Sequence, residues 1–270
     1  MENRDVSMSA ARWLQRPLCR RYVTVVFSST PASITGAAAG HVVHWAFGQL
    51  ITGEVEILGA WNCAEGQGAG SIEEARSLHD RGAEFAGFVL GDGRHEQSAV
   101  SLLRARPLAS LEQALAATAA QAALRHRPGL LSALRAVVDA DSHEAALAEM
   151  ARFGRTGLGE IYPGVIQLWD KALAPSDAVV KLSAPMWALV RSADRTAATV
   201  CERLAKEIQR HGPFDDPDAA LDFVSGALLR AERRLDRARA ASAAAGAASS
   251  MARPGGGSMS TGAVGVPTLA

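Results

Sequence analysis

The carboxylate with the most suggestive setting in this chain is Asp92, held between Gly91 and Gly93 directly after the apolar run Phe85 to Leu90. A carboxylate at the end of a buried strand is fixed by the sheet, and flanking glycines leave room for a metal ion. The same tripeptide also makes an ordinary Asp-Gly turn, and local sequence allows both readings. The seven histidines, at 41, 44, 79, 95, 126, 143 and 211, form no HxxxH or HxH pair. His41 and His44 are three apart on a strand and so face opposite sides, which argues against a shared metal. Ser28-Ser29 follows a strand but lacks the GxSxG elbow of a hydrolase nucleophile. Two helical stretches are rich in cations: Arg191, Arg195, Arg203, Lys206 and Arg210 on the first, and Arg230, Arg233, Arg234, Arg237 and Arg239 on the second. Acid–base pairs such as Glu202–Lys206 describe a solvated face on the first. The second is more one-sided in sign and suits a phosphate backbone as well as solvent.

The elements that must position these groups follow from periodicity. Residues 22–28 form a β-branched and aromatic run, and 41–50 and 55–61 read as two more strands joined at Ile51-Thr52-Gly53-Glu54. Short connections predict an antiparallel meander. Ser71, the acids that follow it and Gly82 bracket a helix over 71–82, and 85–90 is a further strand. From 96 onward the period is helical, over 96–105, 109–125, 129–138, 142–153, 160–173, 186–210 and 216–240. The order βββαβ followed by helices outlines a mixed α/β core of nuclease type. Residues 1–15 and the Ala/Gly/Ser-rich stretch 241–270 are expected to be unstructured.

Composition narrows the class without naming it. The chain has 270 residues, 48% of them apolar, which excludes disorder throughout. Cations and anions balance at 28 each, so net charge points to no polyanion partner. Lysine occurs only at 171, 181 and 206, and that arginine and alanine bias fits a GC-rich coding sequence. Cys19, Cys63 and Cys201 lie far apart with no CxxC pair, which argues against a disulfide scaffold or zinc knuckle. No apolar run reaches the roughly 20 residues of a membrane span, and Met1 to Gln15 has no signal-peptide centre, so the expectation is a cytoplasmic chain with no membrane partner.

The order and spacing of several motifs carry more than any one of them. Residues 46–61, AFGQLITGEVEILGAW, resemble the hairpin of Mutator-type insertion-sequence transposases, A-I-G-x-x-x-x-G-x-x-E-V-L-G-x-W. Without a gap, Arg81-Gly82 falls on that family's Arg-Gly helix end, Asp92-Gly93 on its second catalytic Asp-Gly, and Arg16-Pro17-Leu18 with Tyr22 on its lead-in. Farther on, Tyr162-Pro163 with Trp169, Gly212-x-Phe214 and Asp216-x-Asp218-Ala219-Ala220-Leu221 are similar to its C-terminal motifs. The resemblance spans about residues 16–237.

That resemblance implies an RNase H-like mixed-sheet core over 16–105, a helical insertion over 106–184 and completing helices over 185–240. It also implies a D-D-E triad in which carboxylates hold two Mg²⁺ ions for phosphodiester transfer. By the same alignment Asp92 is the second carboxylate and metal ligand, while Ser28 and Ala198 stand at the other two positions. One carboxylate holds Mg²⁺ weakly or not at all. Asp194 and Glu202 lie one helical turn to either side of Ala198, about 5.4 Å along the axis, too far for a metal bond without moving the helix. The family's Cys-x-x-His falls near 113–117, where neither type occurs, and its N-terminal DNA-recognition region has no counterpart before residue 16. The expected function is a transposase-like protein of DNA transposition and recombination with a degenerate active site. Its implied partners are insertion-element DNA ends, met by Arg203, Arg210, Arg230, Arg233 and Arg234, and a second copy or an intact transposase. The alternative is a non-catalytic DNA-binding or inhibitory partner of such an enzyme.

Overall fold

Five strands form one mixed sheet in the order β3-β2-β1-β4-β5. The computed structural model describes residues 13–18, 21–37, 40–64, 68–83, 86–91, 97–174 and 182–251. Strands β1 (Tyr22–Ala32), β2 (His41–Gln49) and β3 (Val55–Ala64) are the expected antiparallel meander. Gly53, at φ 80°, turns β2 into β3 in a conformation that L side chains resist. β4 (Ala86–Gly91) and β5 (Arg106–Ala109) then add in parallel on the far side of β1. The mixed α/β core implied by the resemblance is therefore present. Strand β5 is absent from the sequence reading, which begins the insertion at 106. Its four residues include Pro107 and show no alternation, so only the pairing of Phe88 to Gly91 with Arg106 to Ala109 reveals it.

Helices cover both faces. On one lie α1 (Ile72–Asp80) and α2 (Gln97–Leu102), packed on Val25, Phe27, Ala46 and Leu58. On the other, α3 (Leu111–Gln121), α4 (Arg127–Val138), α5 (His143–Gly154), α6 (Gly157–Ile161) and α7 (Pro163–Ala172) lead to the long helices α8 (Ala184–His211) and α9 (Pro217–Met251). These bury Val43, Trp45, Phe47 and Ile57 beneath Val190, Ala197, Val200 and Val224. The sequence reads 160–173 as one helix. The structure breaks it at Tyr162, because Pro163 lacks the N–H that would continue α6 and starts α7 instead.

Two boundaries also move. Trp13 and Leu14 pack against the core, and the Arg16 guanidinium stacks 3.7 Å from the Trp13 ring, so ordered chain starts before residue 16. At the other end α9 runs to Met251 rather than stopping at 240, because an alanine-rich run has the best helix propensity whether or not it is buried. The rest of the predicted tail, 252–270, lies outside the described residues. No helix among the described residues is long and apolar enough to cross a membrane.

Candidate active-site cavity

Strand β1 and helix α8 pack directly, and a cavity of about 400 Å³ opens between them and the helices α3 and α4. Val26 and Ser28 line it from β1, and Ala197, Ala198, Cys201 and Glu202 from α8. Ser110, Glu112, Gln113 and Ala116 come from the start of α3, and Arg135 from α4. Ser28 and Ala198, far apart in sequence, thus share one wall. The Ser28 hydroxyl lies 3.3 Å from Cys201 Sγ, one turn along α8 from Ala198. Asp92 lies outside the described residues; β4, which leads to it, runs beside β1 with Leu90 opposite Val26.

The charged groups in this cavity are already partnered, with one exception. Asp194 is buried, at 1% exposure, and its carboxylate accepts from Ser110 Oγ and from the backbone N–H groups of Leu111 (2.9 Å) and Glu112 (3.3 Å). These are orphan donors of the first turn of α3, so Asp194 serves as a tertiary cap, and Arg191 Nη1 at 3.2 Å completes its shell. Burial lowers the Arg191 guanidinium, with Asp194 and Glu112 pulling the other way. Glu112 is raised by burial against the opposing pull of Arg135, whose Nη1 lies 2.7 Å away. Glu202, the exception, is exposed at the rim.

A pair of Mg²⁺ ions needs several carboxylates with free lone pairs converging within a few ångströms. Here the wall offers a hydroxyl, a methyl, a thiol and three carboxylates. Asp194 is saturated by four donors, Glu112 is paired with Arg135, and only Glu202, exposed at the rim, is free among the described residues. The described residues do not fit a two-magnesium centre. Helix α3, where the Cys-x-x-His pattern would fall, contributes Gln113 and Ala116 to the lining, and Gln113 Nε2 donates to Phe27 O at 3.2 Å.

The residues that carried the resemblance have other work. Arg16 Nη2 donates to Glu56 Oε1 at 2.6 Å and Tyr22 Oη to Glu56 Oε2 at 2.9 Å, while Arg81 reaches Arg16 O (3.0 Å) and Leu58 O (2.5 Å). A Cβ on Gly48 would stand 2.6 Å from the Tyr22 ring, and one on Gly59 2.6 Å from the Trp61 ring. Tyr162 Oη meets His126 Nδ1 at 3.0 Å, Trp169 Nε1 donates to Thr118 Oγ1 at 3.0 Å, and Asp216 Oδ1 caps α9 by accepting from Ala219 N at 2.8 Å. A family model for Mutator-family transposases matches residues 3–230. This chain belongs to the Mutator transposase family. Curated proteins give no match.

Of the five arginines expected to meet DNA, all are exposed in this transposase-family chain. Glu207 sits among four of them. Arg230 Nη2 is 2.9 Å from it and Arg234 Nη1 3.8 Å from it, and Arg203 and Arg210 share its stripe of α8 at spacings of four and three. The second cationic helix is therefore less one-sided than its sequence, because α8 supplies a counter-charge. One polar constellation escaped the sequence reading altogether. On the other face of the sheet His44 Nδ1, Cys63 Sγ and Glu74 Oε1 all lie within 4.8 Å of one another. His41 and His44 do face opposite sides of the sheet, but His44 meets partners from β3 and α1 that no local spacing connects.

Proposed function

We propose that the chain is a Mutator-type transposase relative that engages the DNA ends of an insertion element and is impaired in strand transfer. The observation that carries this reading is the wall shared by Ser28 and Ala198. At the positions that the resemblance gives to the first and last triad carboxylates it has a hydroxyl and a methyl group, and the adjacent Asp194 is occupied in capping α3. Asp92 alone supplies one negative charge where two divalent cations need several, and each ligand lost raises the barrier by several kcal/mol. DNA contact is supported by Arg203, Arg210, Arg230 and Arg234 around the single Glu207 and by exposed Arg233. Each cation that meets a phosphate adds about one unit to the salt dependence.

The test is a cleavage and joining assay on DNA carrying insertion-element ends, with Mg²⁺ or Mn²⁺. The expected outcome is salt-dependent binding without nicking or joining. The combined Ser28→Asp and Ala198→Glu variant should gain divalent-metal binding that neither single variant shows. Metal-dependent cleavage by the unmodified chain, abolished by Asp92→Ala, would falsify the impairment and turn attention to Glu202 at the rim.

The arginine group stands apart from the cavity chemistry, and this favours a second reading, a non-catalytic partner that occupies DNA ends or pairs with an intact transposase in the cytoplasm. Under that reading the chain lowers cleavage by an intact transposase in a mixed assay, and Arg230→Ala with Arg234→Ala relieves the inhibition.

A further inference from the structure

We propose that His44 Nδ1, Cys63 Sγ and Glu74 Oε1 form a binding site for a zinc-class divalent cation that clamps the β2–β3 pair to α1. The site is independent of the cavity beside Ser28. Val43, Trp45 and Phe47 of β2 face the α8 side, whereas His44 and Ala46 face α1.

Three elements bring the donors together. His44 is fully buried and its Nδ1 lies 2.6 Å from Glu74 Oε1; Cys63 Sγ, half-buried on the neighbouring strand, lies 3.4 Å from the same oxygen. The second oxygen of Glu74 is held by the backbone N–H groups of Gly70 (2.6 Å) and Ser71 (3.1 Å), in the capping box that starts α1. A carboxylate oriented by fixed donors on one oxygen, with the other aimed at an imidazole and a thiol, is the outer-shell arrangement that metal ligands have. The donor set selects the cation. A thiolate and an imidazole suit zinc and cobalt and are poor ligands for magnesium.

The spacing is close to what the ion needs. Bonds of about 2.0–2.3 Å at tetrahedral angles set the sulfur–oxygen edge at roughly 3.6 Å and the nitrogen–oxygen edge at roughly 3.4 Å. The first is nearly met; the second requires His44 and Glu74 to part by about 0.8 Å, within the reach of their side-chain torsions. Loading releases the Cys63 thiol proton to solvent. It also shifts the ring proton of neutral His44 from Nδ1, where it meets Glu74, through solvent to Nε2, which has no other partner among the described residues. The thiolate and the Glu74 carboxylate then cancel the two charges of the cation. Burial, with Glu74 and Glu73 adding their negative field, holds the Cys63 thiol up at about 12, and a cation relieves that same field. With three protein donors, the fourth position falls to water.

The experiment uses the full chain, stripped with a chelator and titrated with Co²⁺. A sulfur-to-cobalt charge-transfer absorption should rise to one equivalent and be bleached by Zn²⁺, and Zn²⁺ but not Mg²⁺ should raise Tm. Cys63→Ser keeps a hydroxyl for Glu74, so its metal-free Tm should match that of the parent, while the absorption vanishes and Zn²⁺ binding weakens at least about tenfold. Cys201→Ser, on the cavity side, should change neither. Should Cys63→Ser fail to fold, alkylation of Cys63 in a folded Cys19→Ser, Cys201→Ser background must remove the absorption. No absorption in the unmodified chain, or one that survives loss of the Cys63 thiol, overturns the site.

Discussion

Tyr22 and Ser28 lie on the same strand, yet the polar clusters around them differ in kind. Around Tyr22 the polar groups are largely committed to one another: Glu56 accepts from Arg16 and from the Tyr22 hydroxyl, and Arg81 donates to two backbone carbonyls, with only its Nη2 lacking a partner among the described residues. Around Ser28, among the described residues, the hydroxyl has only a cysteine sulfur at 3.3 Å, and beyond it lies a cavity of about 400 Å³. The first cluster contains residues of the family's hairpin and lead-in motifs. The second contains the positions that the resemblance assigns to chemistry. The motifs by which this chain resembles its family thus encode packing, and packing survives independently of what the cavity is able to do. Gly48 and Gly59 make the same point, since each is a glycine because an aromatic ring occupies the space of its Cβ.

The sharpest way to break this contrast is through Asp194, which sits on the cavity wall but is bonded like the Tyr22 cluster. Asp194→Ala strands the buried Arg191 guanidinium and uncaps α3, so we expect a loss of about 3–5 kcal/mol in denaturant unfolding. A spare carboxylate waiting for a metal would cost almost nothing to remove, and a loss below about 1 kcal/mol would return Asp194 to the list of candidate ligands.

The next effect tests how the β3 edge is closed. Glu232 of α9 accepts from Ile57 N at 2.9 Å, beside the irregularity where β2 and β3 change register at Ala46 and Phe47. Burial pushes its carboxyl up to about 7, with the Ile57 N–H and Arg16 opposing. A folded value above the ordinary one of 4.5 means that the native state holds the extra proton. The contribution of Glu232 to stability is therefore greatest below about pH 4.5, falls as pH rises towards 7, and is level above that. At 1.36 kcal/mol per unit the fall is at most about 3 kcal/mol. Urea midpoints measured across this range should show it, and Glu232→Gln should flatten this part of the profile.

Much of this organisation was legible in the sequence. The meander, α1 with its Ser71 cap and the long cationic helices follow from period and punctuation, because each is stabilised by residues close together in the chain. β5 was not legible, since a four-residue strand containing proline is defined by its neighbour β4. The shared wall of Ser28 and Ala198 was reachable only through the resemblance, because alignment carries tertiary information that spacing lacks. The one-turn offset of Asp194 from Ala198 argues that it reaches a metal there only if the helix moves, but says nothing of what it does instead; its role comes from α3, more than eighty residues away in sequence. His44, Cys63 and Glu74 had no local signal, since a histidine on one strand, a cysteine on the next and a glutamate inside a capping box each have an ordinary explanation alone.

A moderate effect belongs to the Tyr22 cluster. Glu56→Ala removes the acceptor of the buried Tyr22 hydroxyl and of the half-buried Arg16 guanidinium, and solvent recovers part of the cost at Arg16. We expect a loss of about 1–3 kcal/mol by thermal or urea unfolding. A neutral outcome would show that the motif residues matter for something other than packing.

The smallest effect is the one that most tests the contrast. Ser28→Ala removes a hydroxyl whose partner is a thiol, a weak donor and weak acceptor, at a half-buried position. No backbone group depends on that hydroxyl: among the described residues, the neighbouring Phe27 carbonyl accepts from Gln113, and Thr30, with the Trp45 N–H on its own oxygen, holds the strand farther on. The cavity already exists on that side, so the deletion opens no new void in a packed region. We therefore expect a change in unfolding free energy within about 0.5 kcal/mol, an order of magnitude below Asp194→Ala on the same wall. A loss above about 1.5 kcal/mol would mean that the serine is built into the fold as firmly as Glu56. The cavity would then be a packed structural region, and the lack of a carboxylate at positions 28 and 198 would say nothing about catalysis.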